Sequence, residues 1–199
     1  MFFRGNRLKI TCFGSSKGSP GETQYDAMQE VGRLLAAERV VVVTGGYGGS
    51  GMEAAARGAS ESGGSACGYT LECSTKQPNP YLAPIIPSDA FLSVEKQYCE
   101  RLGSLLQSDG FVVDPTDDTP GTLIEFFSVM NLNMKFWKDS PRPVVVLRPP
   151  PEGRAIGSFE HIIITFCLTQ SADRPWLCLA DAPEGATDWL LPSFHCSSR

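Results

Sequence analysis

"VVVVTGGYGGSGMEAAARGA", residues 40–59, sets five glycines in seven positions between a run of valines and a run rich in alanine. Val40–Val43 is short and β-branched, which suits a buried strand, and Met52–Ala59 reads as a helix. The glycines therefore fall at a strand-to-helix turn. Side chains are missing there so that another group can come close. In an α/β protein such a turn lies at the carboxyl edge of the sheet, where free helix N–H groups and the helix dipole suit an anionic ligand, most often a phosphate.

Outward from this turn, strand-like apolar runs fall at Leu8–Phe13, Val40–Thr44, Ala66–Thr70, Phe111–Asp114, Val144–Leu147 and Trp176–Ala180. Helical spacing joins Tyr25, Met28, Val31 and Leu35, then Phe91, Val94, Tyr98, Leu102 and Leu105, then Leu123, Phe127, Met130, Met134 and Trp137. These stripes are read as core. Strand and helix alternate along the chain, so the expected fold is α/β: a Rossmann-like, doubly wound parallel sheet in a single domain, residues 1–199. Segment 74–90, with four prolines, is expected to be a long ordered loop, and 148–157 a second irregular connection.

At 199 residues and 42% hydrophobic content the chain has material for one good core. Net charge is −5 with Lys and Arg scattered, which argues against a nucleic-acid or membrane surface and for a small-molecule partner. No apolar run approaches the roughly 20 residues of a membrane span, and "MFFRGNRLKI" lacks the apolar stretch of a signal peptide, so a cytoplasmic protein is expected. Seven cysteines without CxxC pairs or neighbouring His read as thiols of a reducing compartment, with no metal site and no cofactor expected.

Three segments, "CFGSSKGSPGE", "TGGYGGSGME" and "DPTDDTPGTLIE", share the pattern of strand, small residues, then a helix with an acid three positions on. Ser19/Glu22, Ser50/Glu53 and Thr122/Glu125 fit capping boxes, a complete structural explanation for each pair taken singly. Together they imply more, because parallel strands place all three helix starts along one edge, where their N–H donors converge on one crevice. A dinucleotide fingerprint is missing, since "FGSSKG" follows the first strand where GxGxxG is required. A Walker lysine is missing too, because neither GKS nor GKT occurs.

"ITCFGSSKGSP", "VTGGYGGSGMEAAARGASESGG", "PNPYL", "ERLGSLLQSDGFVV" and "PGTLIE" together resemble, in order and spacing, the LOG (Lonely Guy) family, long labelled lysine-decarboxylase-like, over about residues 8–147. The resemblance implies a Rossmann-like homodimer that hydrolyses the N-glycosidic bond of a nucleoside 5'-monophosphate, of the AMP or cytokinin ribotide type, to base and ribose 5-phosphate. It implies a phosphate and substrate cradle at Gly14, Ser15, Ser16, Gly45, Gly46, Gly48, Gly49, Gly51, Met52, Gly121 and Thr122. It implies Glu125 acting at the ribose, with Arg101 as the helping arginine. An oxocarbenium-like transition state calls for such a carboxylate, and a guanidinium grips phosphate or ribose oxygens in fixed geometry.

The chain departs from the family signature PGGxGTxxE. Pro115, Gly121, Thr122 and Glu125 match, but Thr116 and Asp117 replace the two glycines and the loop is about two residues longer. Asp117 and Asp118 beside a phosphate would each repel it by about 1 kcal/mol at water-like dielectric. Arg101 sits one residue off the family spacing, with Glu100 in the strict position. A solvated helix arginine is the alternative for Arg101. Glu125 points away from the apolar stripe of its helix, which suits a cleft, a dimer interface or water. Two functions stand against each other: a phosphoribohydrolase, and a catalytically inactive relative that binds or senses a nucleotide. A purely structural Rossmann-like module leaves the bare turn unexplained. Homodimer formation is further suggested by Phe136 and Trp137 late in an amphipathic helix, burial within one chain being the alternative.

Overall fold

Seven parallel strands form one sheet in the order β4-β3-β2-β1-β5-β6-β7. A computed structural model describes residues 7–14, 18–48, 51–116, 119–148 and 156–195. The strands are β1 (Lys9–Phe13), β2 (Val41–Thr44), β3 (Ser65–Thr70), β4 (Ile85–Pro87), β5 (Gly110–Val113), β6 (Val144–Leu147) and β7 (Leu177–Ala180). The helices are α1 (Thr23–Ala37), α2 (Gly51–Glu61), α3 (Val94–Leu105), α4 (Pro120–Lys135), α5 (Ser158–Gln170), α6 (Pro183–Leu190) and the short α7 (Pro192–His195).

Near-continuous Val, Ile and Phe in β1, β2, β5 and β6 follow from burial on both faces, the usual condition of a parallel sheet. On one face Tyr25, Met28, Val31 and Leu35 of α1, the alanines of α2, and Ala186 and Leu190 of α6 pack over Ile10, Val42, Val112 and Val145. On the other, Leu105, Phe126, Val129, Met130, Ile163 and Cys167 pack over Phe13, Val43, Phe111 and Val144. Phe13 and Phe111 stack across β1 and β5 with ring centroids 5.6 Å apart. Strand order reverses direction between β1 and β5, so this α/β fold is the expected Rossmann-like, doubly wound one, with its topological switch point at that pair.

Four expectations are corrected. Segment 74–90 is not all loop: β4 lies within it and pairs Gly68 with Ile85, Tyr69 with Ile86 and Thr70 with Pro87. Three residues ending in proline give little strand signal, and a sheet edge is where proline is tolerated. The α3 stripe is fully buried core only at Leu105, since Phe91, Val94 and Tyr98 are exposed and Gln97 faces inward instead. On α4 the buried face is Thr122, Glu125, Phe126, Val129, Met130 and Asn133, rotated by about one residue from the expected stripe; Met134 is exposed. Finally, two of the capping boxes do not form. Glu22 is the N-cap of α1 and Thr119 that of α4, neither with a side-chain cap bond, and Ser50 lies outside the described residues. Pro120 opens α4 in the first turn, where its missing N–H costs nothing.

Candidate functional site

The turn after β2 is bare because the protein's own groups crowd it. A Cβ on Gly45 would stand 2.2 Å from Arg101 Nη2 and 2.6 Å from Met52 Sδ. Gly46 has φ of 85°, the left-handed region that glycine adopts without strain, and a Cβ there would meet Thr70 Cγ2 at 2.6 Å. The segment "QPN" straps this turn from outside: Gly48 N–H donates to Gln77 O (3.1 Å) and Asn79 N–H to Gly46 O (3.0 Å). Tyr47 is anchored through its hydroxyl, which accepts Leu71 N–H at 2.8 Å.

Arg101 reaches this turn from α3. Its Nε donates to Tyr69 O and its Nη2 to Gly45 O, each at 2.9 Å, and its guanidinium carbon lies 5.6 Å from the Tyr47 ring centroid. Nη1 stands 3.8 Å from Glu125 Oε1, and both side chains are about nine-tenths buried. Arg101 thus spends two donors on backbone and turns the rest toward Glu125. Burial pushes the Glu125 carboxyl up to about 7, with Arg101 pulling the other way. At 3.8 Å the attraction falls short of the desolvation cost, so the carboxyl holds and releases a proton near neutrality.

Of the remaining expected residues, Gly14 and Gly51 lie against each other, a Cβ on Gly14 falling 3.4 Å from the Gly51 carbonyl carbon and 3.5 Å from Asp114 Cβ. Gly48 faces Glu53, whose Oε1 accepts the Tyr25 hydroxyl at 3.2 Å. Thr122 is buried, whereas Gly121 is exposed with open space beside it. Ser15, Ser16, Gly49, Asp117 and Asp118 lie outside the described residues. Glu125, Arg101, Gly45 and Met52 therefore form one connected group, and Gly14, Gly51 and Asp114 a second beside it.

Residues 7–135 match the model of the SLOG cluster4 family. The chain belongs to the SLOG cluster4 family. It is thereby a member of the wider LOG/SLOG superfamily. Among solved structures it is similar to the molybdenum cofactor carrier protein of Chlamydomonas reinhardtii, at TM-score 0.66 and 20% identity, covering 95% of this chain and 99% of that one. It is also similar to the molybdenum cofactor binding protein of the phototrophic bacterium Rippkaea orientalis, at TM-score 0.64 and 19% identity, covering 98% and 99%. At these identities the likeness shows a shared fold. No curated protein sequence matches the chain.

Sequence reasoning missed Asp114, Gln24 and the 77–79 strap. Asp114 follows an entirely buried four-residue strand, and an acid at the end of such a strand at the switch point was the available signal. Among the described residues no group of three or more His, Cys, Asp or Glu is placed to hold a metal ion, and no helix is long and apolar enough to cross a membrane. Among them Cys12, Cys67, Cys73, Cys99, Cys167 and Cys178 are free thiols.

Proposed function

We propose that this SLOG cluster4 protein hydrolyses the N-glycosidic bond of a nucleoside 5'-monophosphate, of the AMP or cytokinin ribotide type. The observation that carries this is the buried Glu125 carboxyl, titrating near 7 and facing the Arg101 guanidinium beside the bare turn. Ionised Glu125 takes a proton from water and stabilises positive charge developing at the anomeric carbon. Water adds to that carbon as the C–N bond breaks, the base leaves with a proton, and ribose 5-phosphate remains. Arg101, held by the Tyr69 and Gly45 carbonyls, fixes the Glu125 carboxylate and supplies a cation at the crevice.

Binding without turnover is favoured by one sequence feature: Thr116 and Asp117 stand where the family signature supplies two glycines for phosphate, and Asp118 follows them. The fold likeness to a molybdenum cofactor carrier protein and a molybdenum cofactor binding protein supports the same alternative. Purified protein incubated with AMP and assayed for free adenine separates the two. Adenine release supports hydrolysis; AMP binding by calorimetry without adenine supports carriage. Preference for adenosine over AMP, with or without Mg²⁺, would overturn the phosphate site.

The same reading includes a cytoplasmic homodimer. Phe136 is 71% exposed, and the α3 side exposes Phe91, Val94 and Tyr98. Trp137 instead packs within the chain, under Arg142 at 3.9 Å from guanidinium carbon to ring centroid.

A further inference from the structure

Asp114 is fully buried where β5 ends, at the switch point of the sheet. Its Oδ1 accepts three bonds: from Thr116 N–H (3.0 Å), from the Thr116 hydroxyl (2.6 Å), and from Gln24 Nε2 in the first turn of α1. Among the described residues its Oδ2 accepts none, and the buried Gln24 amide oxygen likewise meets no donor. Two of the three buried side-chain atoms without partners among the described residues thus lie on two side chains already bonded to each other. Both are acceptors. A buried acceptor left unpaired costs about 1–3 kcal/mol, and more when it is charged.

One proton removes both defects. A carboxylic acid facing a primary amide forms a closed ring in which the amide N–H donates to one carboxyl oxygen and the carboxyl O–H donates to the amide oxygen. We infer that Asp114 and Gln24 form such an acid–amide pair, a proton-held clasp that joins α1 to the start of the segment leading into α4. The surroundings agree. Burial raises the Asp114 carboxyl to about 6, the three bonds to Oδ1 oppose the rise, and Glu160 of α5, also buried, adds to it. From β1 and α2 the neighbours are backbone at Gly14 and Gly51, and no cation among the described residues contributes to the shift. The folded-state value lies above the ordinary 3.8, so the stabilisation is complete below that value and is lost as pH rises through about 6.

Asparagine at 114 mimics the protonated form, because its amide donates to the Gln24 oxygen and accepts from Gln24 and Thr116 through its own oxygen. The test compares thermal unfolding of Glu125→Gln with that of Glu125→Gln/Asp114→Asn from pH 3 to 8, the first change removing the other carboxyl that burial raises. The curves are expected to coincide near pH 3, to diverge as pH rises from about 4 to about 6, and to run parallel above that, with the Asn variant the more stable. An Asn variant less stable at every pH overturns the proposal, because it shows that the carboxylate charge is needed. Rescue of the parent, but not of the Asn variant, by millimolar Mg²⁺ at pH 8 also overturns it and makes the two oxygens cation ligands. If the double variant fails to fold, carbon-13 NMR of the Asp114 carboxyl in the unmodified chain decides: a midpoint near 6 supports the clasp, and an ordinary one near 3.8 refutes it.

Discussion

Glu125 and Asp114 are both buried carboxyls at the carboxyl edge of one sheet, and both titrate above their ordinary range, yet their surroundings differ in kind. Glu125 has a guanidinium 3.8 Å away. Asp114 has neutral donors on one oxygen and an amide acceptor as its neighbour. A carboxyl facing a cation suits a group that changes charge near neutrality; one closed against an amide suits a clasp that holds two elements together while protonated and opens as pH rises through about 6. Burial alone separates neither role, and the partner decides.

The largest effect that sharpens this contrast is on turnover. Glu125→Gln is expected to lower adenine release from AMP by about 10²- to 10⁴-fold, the usual contribution of a positioned acid–base group, while Asp114→Asn at pH 6 leaves it within a few-fold. Equal losses in both variants would erase the distinction. Next comes Arg101→Ala, which strands the Tyr69 and Gly45 carbonyls and leaves Glu125 without its cation. Denaturant unfolding is expected to show about 3 kcal/mol of lost stability, and the Glu125 carboxyl to titrate higher still. A smaller effect, about 1–3 kcal/mol, is expected for Gly45→Ala, whose methyl group displaces the guanidinium and Met52. Smallest is the effect of Glu125→Gln on stability. Its folded-state value near 7 lies above the ordinary 4.5, so its stabilising contribution is complete below 4.5 and is lost as pH rises through 7. Unfolding midpoints of the Gln variant should therefore fall less between pH 5 and 8 than those of the parent.

Much of the fold was legible because valine and isoleucine runs in doubly buried strands announce themselves, and all six expected strands lie within a residue or so of their observed bounds. β4 was not legible, because three residues ending in proline at a sheet edge carry no periodicity. Apolar spacing misled on α3, where Phe91 and Val94 are exposed, and on α4, where Thr122, Glu125 and Asn133 occupy the buried face. That rotation is itself informative: it turns Glu125 toward Arg101 at one end of α4 and Asn133 onto the Arg142 backbone at the other. The bare turn was correctly placed at the carboxyl edge, but Gly45 and Gly46 clear room for Arg101 and the β3 side of the sheet. Local sequence shows that space is kept, and only the fold shows what fills it.

The most direct test of Glu125 as the reacting group is the pH dependence of adenine release from AMP under single-turnover conditions. The rate is predicted to rise with pH through a midpoint near 7, as the carboxyl ionises, and the rise is predicted to vanish in Glu125→Gln. A wild-type chain that binds AMP yet releases no adenine at any pH between 5 and 9 would contradict the hydrolase assignment and leave a ligand carrier in its place.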